Sequence, residues 1–188
     1  MKTLITSAVF CILFSTVSFA QLDKGYWLGN VVGNFGISDK GNFWFVNLNT
    51  QSLKLVDKNL AIGLGIDYNY YKSNVKGPQN TGAYRHTYLE IGPVVRKYLG
   101  NSRCKPYAEL STGIQMFNSQ HLNSEFSYLD EQQYKFFLNP TIGVSWWFNE
   151  NVSLNLSTGF KTTNFNNIMF DGFRIGVSFK IGKMSSKK

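Results

Sequence analysis

Residues 59–70 read NLAIGLGIDYNY. Leu60, Ile62, Leu64, Ile66, Tyr68 and Tyr70 occupy every second position, with Ala61, Gly63, Gly65, Asp67 and Asn69 between them. Successive side chains of a β-strand point to opposite faces, so this pattern predicts a strand with one apolar face and one small or polar face. What each face meets decides the kind of protein. Either the apolar face lines a core and the other meets water, or the apolar face meets lipid and the other closes on a packed interior.

The same period recurs along the chain. Ile142, Val144, Trp146 and Phe148 alternate with Thr141, Gly143, Ser145 and Trp147. Phe173, Ile175, Val177, Phe179 and Ile181 alternate with Arg174, Gly176, Ser178 and Lys180. The segments YAELSTGIQM, YLEIGPVVRKYL and NVSLNLSTGF behave likewise. Counted together they predict eight strands, near 25–37, 42–56, 60–72, 84–99, 106–118, 132–148, 152–165 and 170–182. DKN, NEN and GNSRCK make short connections, whereas SNVKGPQNTGA, SQHLNSEFSYLDE and KTTNFNNIMF read as longer polar loops; ISDKG is a short exception. Short turns at one end and long loops at the other describe an up-and-down meander between two environments.

A soluble eight-stranded barrel turns its apolar face inward and needs a charged outer face. Here the polar face carries Gly63, Gly65, Gly92, Gly113, Gly143, Gly159 and Gly176 among Ser, Thr and Asn. Small residues suit a tightly curved wall around a narrow lumen better than a solvated surface. The charges Asp67, Glu90, Arg96, Glu109 and Arg174 also fall on this face, away from the apolar one. An apolar face against lipid requires every backbone group to be paired, hence a closed barrel. Strands of ~9–11 residues suffice to cross a bilayer when tilted. The expectation is therefore an all-β, eight-stranded antiparallel transmembrane barrel over 21–182, with a soluble lipocalin-like binding barrel as the alternative.

The chain's beginning fits this. MKTLITSAVFCILFSTVSFA has Lys2, an apolar run and small residues at Ser18 and Ala20. That layout predicts a secretory signal peptide over 1–20, cleaved after Ala20. No later run is long and apolar enough to predict a spanning helix. Cys104 alone remains after such cleavage, which precludes an internal disulfide. Charged residues are 16% of the chain, against about 25% in average soluble domains. The formal charge is +8, but the basic residues are scattered, which argues for anionic membrane surfaces and against nucleic acid. A short basic tail, 183–188, ends the chain.

Taken together, the DKNLAIGLGIDY hairpin, the LEIGPVVRKYL and KPYAELSTGIQ pair, and the last strand RIGVSFKI resemble the small outer-membrane β-barrel proteins of Gram-negative bacteria, the porin-like and OmpX/OmpA-type barrels. The resemblance covers everything after the signal. It implies localisation in the outer membrane, contact with membrane lipids and lipopolysaccharide, and a barrel-assembly signal formed by Arg174, Gly176, Phe179 and Ile181. The chain departs from the family at Ile181, where an aromatic is usual, and in its basic tail.

Site chemistry is sparse. Arg96 and Glu109 flank the connection between strands 4 and 5 at matching distances, which predicts an ion pair; Asp67, Glu90 and Arg174 would form a second layer. An eight-stranded barrel has a lumen that side chains fill, so a structural network is expected, with a narrow transport channel as an alternative. Some barrels of this size modify lipids, which makes His86 and His121 the residues for a rim-sited enzyme. No spacing joins either to a nucleophile and an orienting acid, so no enzyme is expected. Neither HExxH, CxxC nor a calcium-type loop is present, and no cofactor or metal is expected. Surface ligands would engage the loops at 73–83 and 119–131.

Overall fold

The computed structural model describes residues 22–38, 43–76, 81–121, 131–165 and 167–182. The expected signal segment 1–20, residues 39–42, parts of the two expected ligand loops (77–80 and 122–130) and the tail 183–188 lie outside the described residues. Eight strands follow in order: β1 Trp27–Ser38, β2 Phe43–Asp57, β3 Leu60–Lys76, β4 Thr81–Tyr98, β5 Cys104–His121, β6 Glu131–Trp147, β7 Val152–Thr163 and β8 Asn167–Ile181. Each pairs antiparallel with the next, and β8 pairs with β1 to close an up-and-down barrel.

Three connections differ from the sequence expectation. β3 runs to Lys76 and β4 begins at Thr81, so most of the 73–83 loop is paired strand. β5 likewise extends to His121. KTTNFNNIMF is not a long loop but the tip of the β7–β8 hairpin, paired up to Thr163↔Asn167. Asn164 and Phe165 turn the chain with φ of 50° and 58°. Asn164 donates its amide to the Phe136 carbonyl at 2.9 Å, and its side-chain oxygen accepts from the Phe136 amide at 3.0 Å. An asparagine tolerates the left-handed region and thereby ties the tip to β6.

Alternation sorts the side chains as the apolar pattern requires. Leu64, Ile142 and Phe173 are more than 60% exposed on the outer wall. Trp44 and Tyr70 pack against each other on the outer wall, ring centres 4.8 Å apart and tilted by 36°, near the long-loop end. Trp27, Trp146 and Phe179 lie on the short-turn half of their strands, and Phe148 follows directly after β6. An aromatic-edged apolar belt of this kind is the lipid-facing surface of a transmembrane barrel. The wall depends on glycine where neighbouring backbones nearly touch. A Cβ on Gly63 would overlap the Ser52 carbonyl oxygen, and one on Gly92 would overlap that of Thr112.

The inward face is not uniformly polar. At the short-turn end Leu22, Leu28, Leu53, Leu55, Ala61, Val94, Tyr98, Tyr107 and Trp147 form a buried apolar cluster. Above it the lumen turns polar and charged.

Candidate functional site in the lumen

Two polar layers stand on that apolar floor. In the lower one, Arg96 of β4 is the direct cross-strand partner of Glu109 of β5. The guanidinium lies 2.5 Å from the Glu109 carboxylate, and Arg96 Nε donates to it at 2.6 Å. Gln51 joins both, accepting from Arg96 at 2.7 Å and donating to Glu109 at 2.9 Å. The Arg96 guanidinium sits 4.4 Å over the Tyr107 ring, which supplies a cation–π contact. Gln51 continues to Asn30 at 2.9 Å, and Asn30 to Asn155 at 3.1 Å and to Ser178 at 3.0 Å. Ser145 donates to Asn155 at 2.5 Å. One hydrogen-bonded layer thus links β1, β2, β4, β5, β6, β7 and β8 across the lumen.

The upper layer holds the remaining expected residues. Asp67 and Glu90 are cross-strand partners, two carboxylates side by side, and each has its own cation. Arg174 reaches Asp67 at 3.2 Å; Lys161 reaches Glu90 at 2.7 Å. Arg174 also pairs with Asp171, which accepts from Asn139 at 2.9 Å. Asn49 and Asn69 donate to Asp67 at 3.1 and 2.8 Å, and Gln115 donates to Glu90. Multiple donors to each buried carboxylate offset its desolvation. A void of about 10 Å³ beside Asp67 and Glu90, also lined by Gly65 and Ser111, is the size of a single water.

Lys161 and Asp171 were missed in the sequence. Lys161 has lumen parity with Ser153 and Asn155, but it opens the segment that reads as a loop. Asp171 has the parity of the outward Phe173 and Ile175. It turns inward because Asp171 and Gly172 together oppose the single Gly159, with Gly172 at φ 74°. Such a β-bulge shifts every residue beyond it to the other face.

Of the assembly-signal residues, Arg174 belongs to this upper layer. Gly176 packs under the β1 backbone at Val31 and Val32, while Phe179 and Ile181 point outward at the end of β8. His86 stacks 5.7 Å from Phe117 above the charged layer, opposite Ser119. His121 is the last residue of β5, paired with Tyr84. Above Lys161 and Asp171 a cavity of about 360 Å³ opens, walled by Phe43, Tyr71, Tyr88 and His86.

No protein-family model and no curated protein matches the chain. Solved structures match in fold. Neisserial surface protein A aligns with a TM-score of 0.57 at 19% identity, over 84% of this chain and 98% of that one. The N-terminal β-barrel domain of Pseudomonas aeruginosa OprF aligns at 0.54 with 13% identity, over 84% and 98%. Ail, the attachment invasion locus protein of Yersinia pestis, solved with the heparin analogue sucrose octasulfate, aligns at 0.52 with 11% identity, over 83% and 99%. The chain therefore has the small eight-stranded barrel fold of these surface and outer-membrane proteins.

Proposed function

We propose that the chain is an integral outer-membrane protein with a structural or surface-interaction role and a lumen that passes no solute. The observation that carries this reading is the lower polar layer. Arg96, Glu109, Gln51, Asn30 and Asn155 bridge opposite walls directly above a buried apolar floor. A solute path would have to strip paired charges at Arg96 and Glu109 and then open the Leu–Tyr–Trp cluster. No catalytic role is proposed. His86 stands in an aromatic setting, and the acids of the charged layer, Glu90 and Asp171, are engaged with Lys161 and Arg174.

The partners proposed are outer-membrane lipids and lipopolysaccharide along the belt, the barrel-assembly machinery through the β8 end, and a surface ligand at the external loops. Lys72 and Arg85 are cross-strand partners on the outer wall, with Lys72 beside Trp44 on β2. That placement suits lipid phosphates at the headgroup boundary. The test is conductance in a planar bilayer. The folded protein is expected to insert without steps in current. Steady unitary conductance would instead support the narrow-channel reading.

A further inference from the structure

The ladder that closes the barrel is the shortest in it. β1 and β8 pair from Trp27↔Ile181 to Gly33↔Ile175, yet β1 runs on to Ser38 and β8 begins at Asn167. Beyond Gly33, β1 pairs with β2 as far as Ser38↔Phe43, and β8 pairs with β7 as far as Asn167↔Thr163. The ladder stops three residues short of the Asp171–Gly172 bulge, and bulges bend and twist the strand that carries them. At its base the Asn34 side chain donates to the Phe173 carbonyl at 3.2 Å, a side-chain bond in place of a ladder bond.

The cavity above the charged layer reaches this seam. Met169 and Phe170 of β8 line it along with Tyr71 and Tyr88. Phe170 nevertheless faces outward, its ring 5.8 Å from both Phe160 and Phe173 on the apolar belt. A belt residue that also lines a lumen cavity marks where that cavity comes round the edge of β8. Phe35, Ile168 and Phe173, 80%, 77% and 69% exposed, flank the same edge. The cavity's size, about 360 Å³, lies in the ~300–1,000 Å³ range of small-molecule sites. Its walls are mainly aromatic or thioether, and the amides that also line it, Asn69 and Gln115, already donate to Asp67 and Glu90. The charges at its floor are already engaged, Lys161 with Glu90 and Asp171 with Arg174 and Asn139. The site therefore favours an apolar occupant over a hydrogen-bonding one.

We propose that the upper β1–β8 seam is a lateral opening through which an acyl chain of a surrounding membrane lipid seats in the aromatic cavity. This rests on the membrane placement proposed above. The test uses the full chain folded into phosphatidylcholine vesicles doped with a phospholipid bearing a diazirine at the end of one acyl chain. After illumination, adducts are mapped by mass spectrometry. Adducts on Tyr71, Tyr88 or Met169 are expected, with loss of that inner labelling in Met169→Trp, which fills the cavity. A second variant carries Phe35→Cys and Phe173→Cys with Cys11→Ser and Cys104→Ser, bridged across the seam by a short bis-maleimide. Bridging should abolish inner labelling while leaving adducts on belt residues such as Phe160. Adducts confined to the belt in the unbridged protein overturn the site. Inner adducts that survive the bridge overturn the lateral route. A chain that will not fold into vesicles overturns the membrane reading itself, a failure that the belt adducts tell apart from the other two.

Discussion

Arg96 shows most clearly how one residue holds this barrel. It is 1% exposed, and its partner Glu109 is 8% exposed. A buried guanidinium is tolerable only while its charge and donors are met, here by Glu109, Gln51, the Tyr98 hydroxyl at 3.1 Å and the Tyr107 ring. Removing one partner leaves the other buried and uncompensated, which costs about 3–5 kcal/mol. Glu109→Leu and Arg96→Met should each destabilise the folded barrel by that order in urea unfolding from vesicles. The double variant should cost less than either single one, because it removes both charges together. Equal stability of Glu109→Leu and the unaltered protein would remove the pair from the account of what keeps the wall in shape. The cross-strand placement of this pair was legible from the turn that separates Arg96 from Glu109. The cation on Glu90 was not: Lys161 falls within the strand expected at 152–165, but it also opens KTTNFNNIMF, which reads as a loop, so the sequence alone assigns it no lumen role.

Among the elements, β8 departs furthest from simple alternation. Below the bulge, Phe173, Ile175, Val177 and Phe179 face out and Arg174 and Ser178 face in, as period two requires. Above it, Phe170 faces out and Asp171 in, the reverse of what parity predicts from Arg174. The sequence offers only a faint signal for this, an Asp-Gly pair within a strand pattern, and glycine inside a strand is a known mark of a bulge. Period two made the eight strands and their two faces readable. It could not reveal the apolar floor, because Leu28, Leu53 and Leu55 lie on the lumen face and break the polar pattern. Nor could it show that the β7–β8 tip is ladder, which depends on Asn164 bonding to β6. Deleting Gly172 removes the extra residue while leaving Phe170 outward and Asp171 inward. The β1–β8 ladder should then extend past Gly33. Amide hydrogen exchange over residues 34–38 should slow, with little change in β3 or β4. Unchanged exchange there would mean that the bulge is not what parts the two strands.

For the whole molecule the two faces divide the labour of stability. Among the described residues, the lumen network pairs the anions Asp67, Glu90, Glu109 and Asp171 with the cations Arg96, Lys161 and Arg174, and Lys105 is buried on the same face nearer the short turns. The positive balance of the chain therefore resides outside that network, where it can meet anionic headgroups. The outer wall has no comparable way to accept charge. If it faces lipid, Leu64→Arg, near the middle of the β3 stripe, should cost about 2–4 kcal/mol. On a barrel whose outer wall met water, the same exposed position would change stability by no more than ~0.5 kcal/mol. Urea titration of the protein in vesicles separates these outcomes. The unboiled protein should also migrate differently from the boiled one in a detergent gel, since a closed barrel resists unfolding until heated. Leu64→Arg should lower the temperature at which the unboiled band disappears. A neutral Leu64→Arg together with recovery of the chain in soluble form would mean that water wets the belt. The alternating apolar face would then need a covering other than lipid.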